Sequence, residues 1–244
     1  MFLFKKSKPK QNFPFPITVD MHSHILPGID DGAQDLATAV HLVKGMMALG
    51  IKSAIATPHI KSQDFPNTEE TISAAHLSLT GELEKQSIDF PISYAAEYLM
   101  DEVFFERLKE NAPLLTFNKN HVLVEFSWAI EPIFLEKMAY EILMAGYKPI
   151  LAHPERYNYF HGNFKVYDRL EELGFLLQVN LLSTIGYHGI PVQKAARYLL
   201  DNDLVALLGT DLHHDAGLQA MITSASEIGN FVGRSFNETI QLDL

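Results

Sequence analysis

ITVDMHSHILPGIDDGAQDLATAVHLVKGMMALGIKSAIATPHI, residues 17–60, is the stretch from which the fold can be predicted. A short β-branched run at residues 17–19 precedes residues 35–49, whose apolar side chains recur with helical periodicity. Gly50 follows as a stop signal for that helix. A second apolar run at residues 52–57 predicts the next strand. The stretch therefore predicts a strand–helix–strand unit.

The same alternation of strand and helix continues along the chain. Strands are predicted at residues 17–19, 52–57, 92–96, 121–126, 148–152, 175–180 and 204–209. Helices are predicted at residues 35–49, 68–86, 101–110, 132–145, 164–173, 191–200 and 218–232. Seven such units predict an α/β fold with a parallel sheet, either open and doubly wound or closed into a (β/α) barrel. The first strand–helix turn has no G-x-G-x-x-G phosphate loop, which disfavours a dinucleotide-binding sheet.

Length and composition indicate one globular domain. The chain has 244 residues, of which 47% are hydrophobic and 20% charged, as in globular proteins. No linker interrupts it, and we predict one folded domain over residues 17–244. Residues 1–16 carry lysines and prolines and predict a flexible arm. The alternative is a weak contact of this arm with an acidic membrane surface or a partner. The chain has no apolar stretch typical of a secretion signal or spanning helix, so we expect a cytoplasmic protein.

Charge and cysteine content exclude several classes of function. Nineteen Lys+Arg against thirty Asp+Glu give a formal net charge of -11, which argues against nucleic acid as a partner. The chain contains no cysteine, so disulfides, thiolate nucleophiles and cysteine-ligated zinc are excluded. Any metal ion must therefore be held by imidazole and carboxylate groups.

Residue types that bind metals stand where six of the seven predicted strands end, at the edge where parallel α/β folds place reactive groups. In chain order they are His22, His24, Asp30 or Asp31, His59, Glu97, Glu125, His153, Asp211 and His213. The sixth strand ends in Asn180 instead. A single histidine or glutamate after a strand is usually a loop residue. Carboxylates at the ends of apolar strands are costly to bury without compensation, however, so the whole set predicts a cluster of divalent ions.

The motifs in this order resemble the PHP (polymerase and histidinol phosphatase) superfamily. The strings DMHSHILPGIDDGAQD, ATPHI, AAEY, VLVEFSW, LAHPERY and GTDLHHD are similar to those of the bacterial PHP-type protein-tyrosine phosphatases, which are tied to capsule and exopolysaccharide synthesis. The resemblance covers nearly the whole chain. It implies a distorted seven-stranded (β/α) barrel of the TIM-like type. It also implies hydrolysis of phosphotyrosine on a protein, in particular a membrane-associated bacterial tyrosine kinase.

The resemblance further implies up to three divalent ions, commonly manganese, with iron or zinc as alternatives suited to the same ligand types. The first ion would take His22, His24, Glu97 and Asp211. The second would share Glu97 and take Glu125 and His153. The third would take Asp31, His59 and His213. Without a cysteine, water activated between such ions is the expected nucleophile.

For the substrate, the resemblance implies that Arg156 is a catalytic residue that binds the phosphate. The family often has another arginine beyond the D-x-H pair, where this chain has Gly217 and Leu218, so His214 or a loop lysine would take its role. Aromatic side chains near the rim could stack on a phenyl ring; they are Tyr98, Phe126, Trp128, Tyr157, Tyr159 and Tyr187. Two alternatives stay open. One is a small-molecule phosphatase such as histidinol phosphatase, and the other is a non-catalytic, metal-stabilised module that docks a kinase.

Overall fold

The computed structural model describes residues 15–231, 233, 235 and 237–239. Residues 1–14 of the predicted arm, with its proposed membrane or partner contact, lie outside the described residues. Phe15 is buried and packs into the main hydrophobic core. Within the described part of the chain, no helix is both long and apolar enough to span a membrane.

Parallel strands and helices alternate, as predicted. The strands are β1 Val19–Asp20, β2 Ser53–Ala56, β3 His59–Ile60, β4 Ile92–Tyr94, β5 Glu97–Leu99, β6 His121–Glu125, β7 Lys148–Ala152, β8 Leu176–Asn180 and β9 Val205–Gly209. The helices are α1 Leu36–Leu49, α2 Glu69–Lys85, α3 Glu102–Lys109, α4 Leu135–Met144, α5 Lys165–Glu172, α6 Leu181–Thr184, α7 Ile190–Asp201, α8 Asp215–Thr223 and α9 Ala225–Ile228. The α/β class is therefore confirmed.

The strands differ in number and arrangement from the seven expected in one closed barrel. They form a three-stranded sheet in the order β1-β2-β4 and a six-stranded sheet in the order β3-β5-β6-β7-β8-β9. All named pairs are parallel. Pro58, which has no backbone N–H to donate, separates β2 from β3. Ala95 and Ala96 separate β4 from β5. β3 and β5 are therefore two short strands beyond the ends predicted for the second and third strands.

Backbone contacts link the chain just beyond β1 to the chain just beyond β9. Ser23 and Leu212 form an isolated parallel bridge. His24 N donates to Leu212 O at 3.0 Å, and Asp211 N donates to His22 O at 2.8 Å. These bonds bring the ligand-type residues of the first and last strands side by side.

Among the described residues, side chains cap the starts of α1, α2 and α3. The Asp35 side chain accepts from Thr38 N at the start of α1, and Gly50 ends that helix in the left-handed region with φ 97°. The prediction for α4 was wrong at its start, because Pro132 lies in the preceding loop and the helix begins at Leu135, after exposed Ile133 and Phe134. The last predicted helix is interrupted at Ser224, between α8 and α9.

A small apolar cluster fills the space among the strands and is distinct from the main core between strands and helices. Its members include Met21, Ile55, Leu123, Ile150 and Leu207, which come from different strands or their immediate extensions. The residues that follow these positions along each strand are the ligand-type side chains. The apolar cluster therefore forms the floor beneath the candidate site.

Candidate metal centre

The chain brings the nine predicted ligand residues to one edge of the strands. Most of their side chains are fully or almost fully buried, which is costly for charged groups without a partner. His22, His24, Glu97 and Glu125 have no exposed surface, and His59 and His153 are at most 5% exposed. Asp31, in the loop before α1, keeps 53% of its side chain exposed. The site is thus a buried polar cluster with an open side.

Glu97, the first residue of β5, lies at the centre of the cluster. Its Oε2 is 3.4 Å from both His22 Nε2 and His24 Nε2 and 3.0 Å from His59 Nδ1. Its Oε1 is 3.0 Å from His153 Nε2. One carboxylate therefore faces four imidazole rings, as a bridging ligand between ions would.

Asp211 and Asp31 hold the outer part of the cluster together. Asp211 Oδ1 is 3.3 Å from His22 Nε2 and 3.5 Å from His24 Nε2. Asp31 Oδ1 is 3.4 Å from both His59 Nε2 and His213 Nε2. His213 also approaches Asp211, through its Nδ1 at 3.4 Å from Asp211 Oδ1, and so links the two carboxylates.

Among the described residues, the ligand-type atoms fall into four overlapping groups whose members lie within 4.8 Å of one another. They are His22, His24 and Asp211; His22, Glu97 and His153; His59, Glu97 and Glu125; and His24, Asp31, His59 and His213. The first group and the last contain the sets implied for the first and third ions, apart from Glu97. Glu125 and His153, implied to share the second ion, each group with Glu97 but not with each other.

Two of the cluster residues have unusual backbone conformations. His153 has φ 37° and Asp211 has φ 50°, in the left-handed region that residues other than glycine seldom adopt. Each follows the last residues of a strand, where the turn directs the side chain back over the strand ends. Such strain persists only where the surrounding structure imposes it, and it concentrates at functional sites.

The hydrogen bonds around the histidines fit a metal centre. His22 Nδ1 is 2.8 Å from Gln178 Oε1, and His24 Nδ1 is 2.8 Å from Asp30 Oδ2. Because both acceptors require a proton on Nδ1, the neutral form of each ring has its lone pair on Nε2, and the two Nε2 atoms lie 3.2 Å apart. A cation bound by both Nε2 atoms would remove the repulsion between their two lone pairs. Glu97 Oε2, Glu125 Oε2 and His153 Nδ1 are buried without a hydrogen-bond partner among the described residues, so the donor set fits divalent ions held by nitrogen and oxygen.

The pKa values of the cluster show how strongly its charges interact. Burial alone would lower the pKa of His22, but the carboxylates of Glu97 and Asp211 outweigh it and raise that pKa to about 9. In the same way Glu97 and Glu125 raise the pKa of His59 to about 11. Burial would raise the pKa of Glu97 and Asp211, yet the facing imidazoles hold both well below their usual range. Burial lowers the pKa of His153.

The sequence analysis did not identify the supporting role of four residues. Gln178 and Asn180 of β8 are linked by a hydrogen bond of 2.9 Å, and Asn180 Nδ2 donates to Asp211 Oδ2 at 2.7 Å. The predicted strand without an ionisable end thus supplies the amides that orient His22 and Asp211. Asp30 orients His24, and Lys61 Nζ lies 2.9 Å from Glu125 Oε1. In the sequence, the one feature that singles out Lys61 is its position two residues after His59.

A cavity of about 330 Å³ opens over the cluster. Arg156 lies in its wall, where Nη1 is 2.7 Å from Asp211 Oδ2 and the guanidinium lies 4.8 Å from the Trp128 ring centroid. Trp128 and Tyr187 are exposed to the cavity, whereas Tyr98, Phe126 and Tyr157 are buried in the core. The exposed His214 also lines the cavity, at the N-terminus of α8.

Comparison with known proteins agrees with this geometry. Residues 18–243 match the family described as "Capsular polysaccharide synthesis, CpsB/CapC". The chain belongs to the CpsB/CapC family. The resemblance seen in the motifs is therefore confirmed at the level of this family.

Relatives in the CpsB/CapC family carry phosphatase names. The chain is 30% identical over 204 residues to "Tyrosine-protein phosphatase CpsB" of Streptococcus pneumoniae, across 80% of this chain and 83% of that protein. It is 28% identical over 196 residues to "Tyrosine-protein phosphatase YwqE" of Bacillus subtilis, across 80% of this chain and 77% of that protein. The alignments span most of each relative.

Solved structures agree with the family assignment. A structure described as "Crystal structures of YwqE from Bacillus subtilis and CpsB from Streptococcus pneumoniae, unique metal-dependent tyrosine phosphatases" matches with a TM-score of 0.76 and 25% identity, over 88% of this chain and 90% of that one. The lactonase Lmo2620 from Listeria monocytogenes matches with a TM-score of 0.53 at 13% identity, over 92% of this chain and 93% of that one. The second likeness shows a shared fold alone.

Proposed function

We propose that this chain is a metal-dependent protein-tyrosine phosphatase. The observation that carries the proposal is the convergence of buried imidazoles and carboxylates on Glu97, with several of their atoms lacking a hydrogen-bond partner in the described part of the chain. Up to three divalent ions, manganese first and iron or zinc as alternatives, would be held by His22, His24, Asp31, His59, Glu97, Glu125, His153, Asp211 and His213. Relatives named tyrosine phosphatases support the reaction class.

The ions would supply an activated water and neutralise charge on the phosphoryl oxygens. The chain's own residues would position the reacting groups. Gln178 and Asp30 hold the rings of His22 and His24 with Nε2 directed into the site. Arg156, packed on Trp128, presents a planar fork of donors to phosphate oxygens. His214, at the rim of the cavity, would contact the substrate.

The proposed substrate is phosphotyrosine on a protein, in particular a membrane-associated bacterial tyrosine kinase of capsule or exopolysaccharide synthesis. The family description and the names of the relatives support this choice. Trp128 and Tyr187 expose aromatic surface on the cavity wall, where a phenyl ring would stack. A cytoplasmic location belongs to the same proposal, because a kinase phosphorylates its tyrosines where ATP is available.

The proposed scaffold is a single PHP-type barrel over residues 17–244, with seven distorted strands. The register supports it, because Ala56 pairs with Tyr94 and His59 pairs with Glu97. The pairing of β2 with β4 and that of β3 with β5 therefore have the same register on both sides of the breaks. The bonds between the chain beyond β1 and the chain beyond β9 support closure at the site. The apolar cluster among the strands would be the barrel interior.

Steady-state kinetics with manganese test the function. A phosphotyrosyl peptide should be hydrolysed with a higher kcat/KM than histidinol phosphate. Glu97→Gln should lose activity and bound metal together, because one carboxylate contacts four of the imidazoles. The matched control Glu136→Gln, at a carboxylate that is 62% exposed and pairs with Arg169, should keep both. Preference for histidinol phosphate would favour a small-molecule phosphatase, and metal binding without turnover would favour a docking module.

A further inference from the structure

A second cation besides Arg156 is fixed in the wall of the cavity. Lys61 directly follows β3, and its Nζ lies 2.9 Å from Glu125 Oε1 and 3.3 Å from His59 Nε2. Its side chain is only 13% exposed. The loop that carries it is ordered by two backbone hydrogen bonds, of 2.9 and 3.1 Å, exchanged with Phe65. The ammonium group is therefore held at the site rather than extended into solvent.

Lys61 and Arg156 are the two lysine or arginine residues among the described residues that line this cavity. Each cation faces a different carboxylate of the cluster, Lys61 facing Glu125 and Arg156 facing Asp211. A largely buried ammonium is costly unless a negative charge lies beside it. Once a divalent ion binds Glu125, the negative charge of that carboxylate is shared between the ion and the Lys61 ammonium. An incoming phosphate dianion would restore the balance of charge around the ammonium.

The region that could have supplied another phosphate-binding cation does not do so. Leu218 is buried, and its side chain packs against Gly45 of α1. The contact is so close that a Cβ added to Gly45 would lie 2.1 Å from Leu218 Cδ2. Gly217 lines the cavity but has no side chain. Among the described residues, therefore, the lysine and arginine side chains beside the cluster come from the loops after β3 and β7.

We propose that Lys61 binds the substrate phosphate together with Arg156. This inference rests on the proposed phosphatase function and names the second phosphate contact of the same site. Lys61 contributes a compact point charge with three donors, whereas Arg156 contributes a planar fork. The competing explanation is that Lys61 is a structural partner of Glu125 and does not contact the phosphate.

Binding of inorganic phosphate to the manganese-loaded full chain separates the two explanations. Lys61→Met removes the charge at nearly constant length, Lys61→Gln removes it but keeps a donor, and Lys61→Arg keeps the charge. Lys85→Met is the matched control, at a lysine that is 76% exposed on α2. Calorimetry should show phosphate affinity weakened by about 10- to 100-fold in the Met and Gln variants. It should change by less than about threefold in the Arg variant and stay unchanged in the control.

Metal content and kinetics complete the test. The Met and Gln variants should bind as much manganese as the unaltered chain, and KM for a phosphotyrosyl peptide should rise more than kcat falls. Loss of manganese in these variants, or phosphate affinity equal to that of the control, would overturn the inference. If the unaltered chain binds phosphate through Lys61 but hydrolyses no phosphomonoester, the proposed function fails while the inference stands.

Discussion

Asp30 and Asp31 are adjacent in the sequence, yet their carboxylates have different surroundings. Asp30 Oδ2 accepts from His24 Nδ1 at 2.8 Å and from His59 N at 3.1 Å, and its Oδ1 accepts from Gly32 N at 2.9 Å. Both oxygens are therefore occupied by donors. Asp31 instead directs Oδ1 toward His59 and His213. This difference favours Asp31 as the ligand and Asp30 as the residue that orients His24.

Asp30→Asn should weaken manganese binding by about 10- to 100-fold, the usual effect of losing a residue that orients a metal-binding histidine. An asparagine has one acceptor oxygen, so it cannot satisfy His24, His59 and Gly32 at the same time. Competition with a fluorescent chelator would measure the affinity. Asp35→Asn is the matched control, because asparagine caps a helix as well as aspartate does. Equal affinities in the two variants would show that Asp30 does not support the site.

Ligand-type residues were predictable from the sequence because each follows a recognisable apolar strand. Their partners were not, since neither a glutamine nor a lysine in such a position indicates a metal site. Gln178 acquires its role only because β8 lies beside the His22 segment in space. Lys61 acquires its role only because β3 places it beside Glu125. Contacts between distant segments decide both roles.

At the scale of elements, the loop between β1 and α1 depends on one close approach of the backbone. A Cβ on Gly32 would lie 2.0 Å from the carbonyl oxygen of His24. The loop folds back so tightly because Ala33 N donates to that same oxygen at 3.0 Å. This turn holds Asp30 and Asp31 against the histidines, so its geometry and the site geometry are coupled.

Gly32→Ala should reduce both stability and metal binding. The added methyl group meets backbone that cannot rotate away, which we expect to lower the free energy of unfolding by about 1–3 kcal/mol. The matched control is Gly81→Ala in α2, where a Cβ meets nothing within 4 Å. There alanine should raise the free energy of unfolding by about 0.5–1 kcal/mol. Urea unfolding of both variants checks the opposite signs, and stabilisation by Gly32→Ala would contradict the argument.

Helices with clear caps were predicted well, as α1 and α2 show. The uncapped helices α5 and α7 were also predicted to within one residue at each end, whereas α6 and the start of α4 were not. α6 has only four residues, all buried, so it displays no amphipathic period. The start of α4 was misplaced because proline is typical of a first helical turn, whereas Phe134 precedes this helix without a side-chain cap. Apolar periodicity therefore located the longer helices, but not α6 or the start of α4.

At the scale of the whole molecule, the alternation of parallel strands and helices followed from the sequence, but the division of the strands into two sheets did not. The breaks at Pro58 and at Ala95–Ala96 lie next to His59 and Glu97, the residues whose side chains enter the cluster. A regular ladder would direct successive side chains to alternate faces. The interruptions thus lie directly before His59 and Glu97, whose side chains turn into the site. Only the arrangement of all the strands determines where such a turn is needed.

The cluster joins segments that are far apart in the chain, so removing the ions should destabilise the whole domain. Ions at 100-fold excess over their dissociation constant stabilise a protein by about 2.7 kcal/mol. For a domain of this size that corresponds to a Tm shift of about 5–10 °C. Calorimetry of the manganese-loaded protein before and after chelation should show this decrease. Glu97→Gln should show little response to chelation, because its central carboxylate is missing. An unchanged Tm after verified removal of manganese would mean that the ions do not hold these segments together.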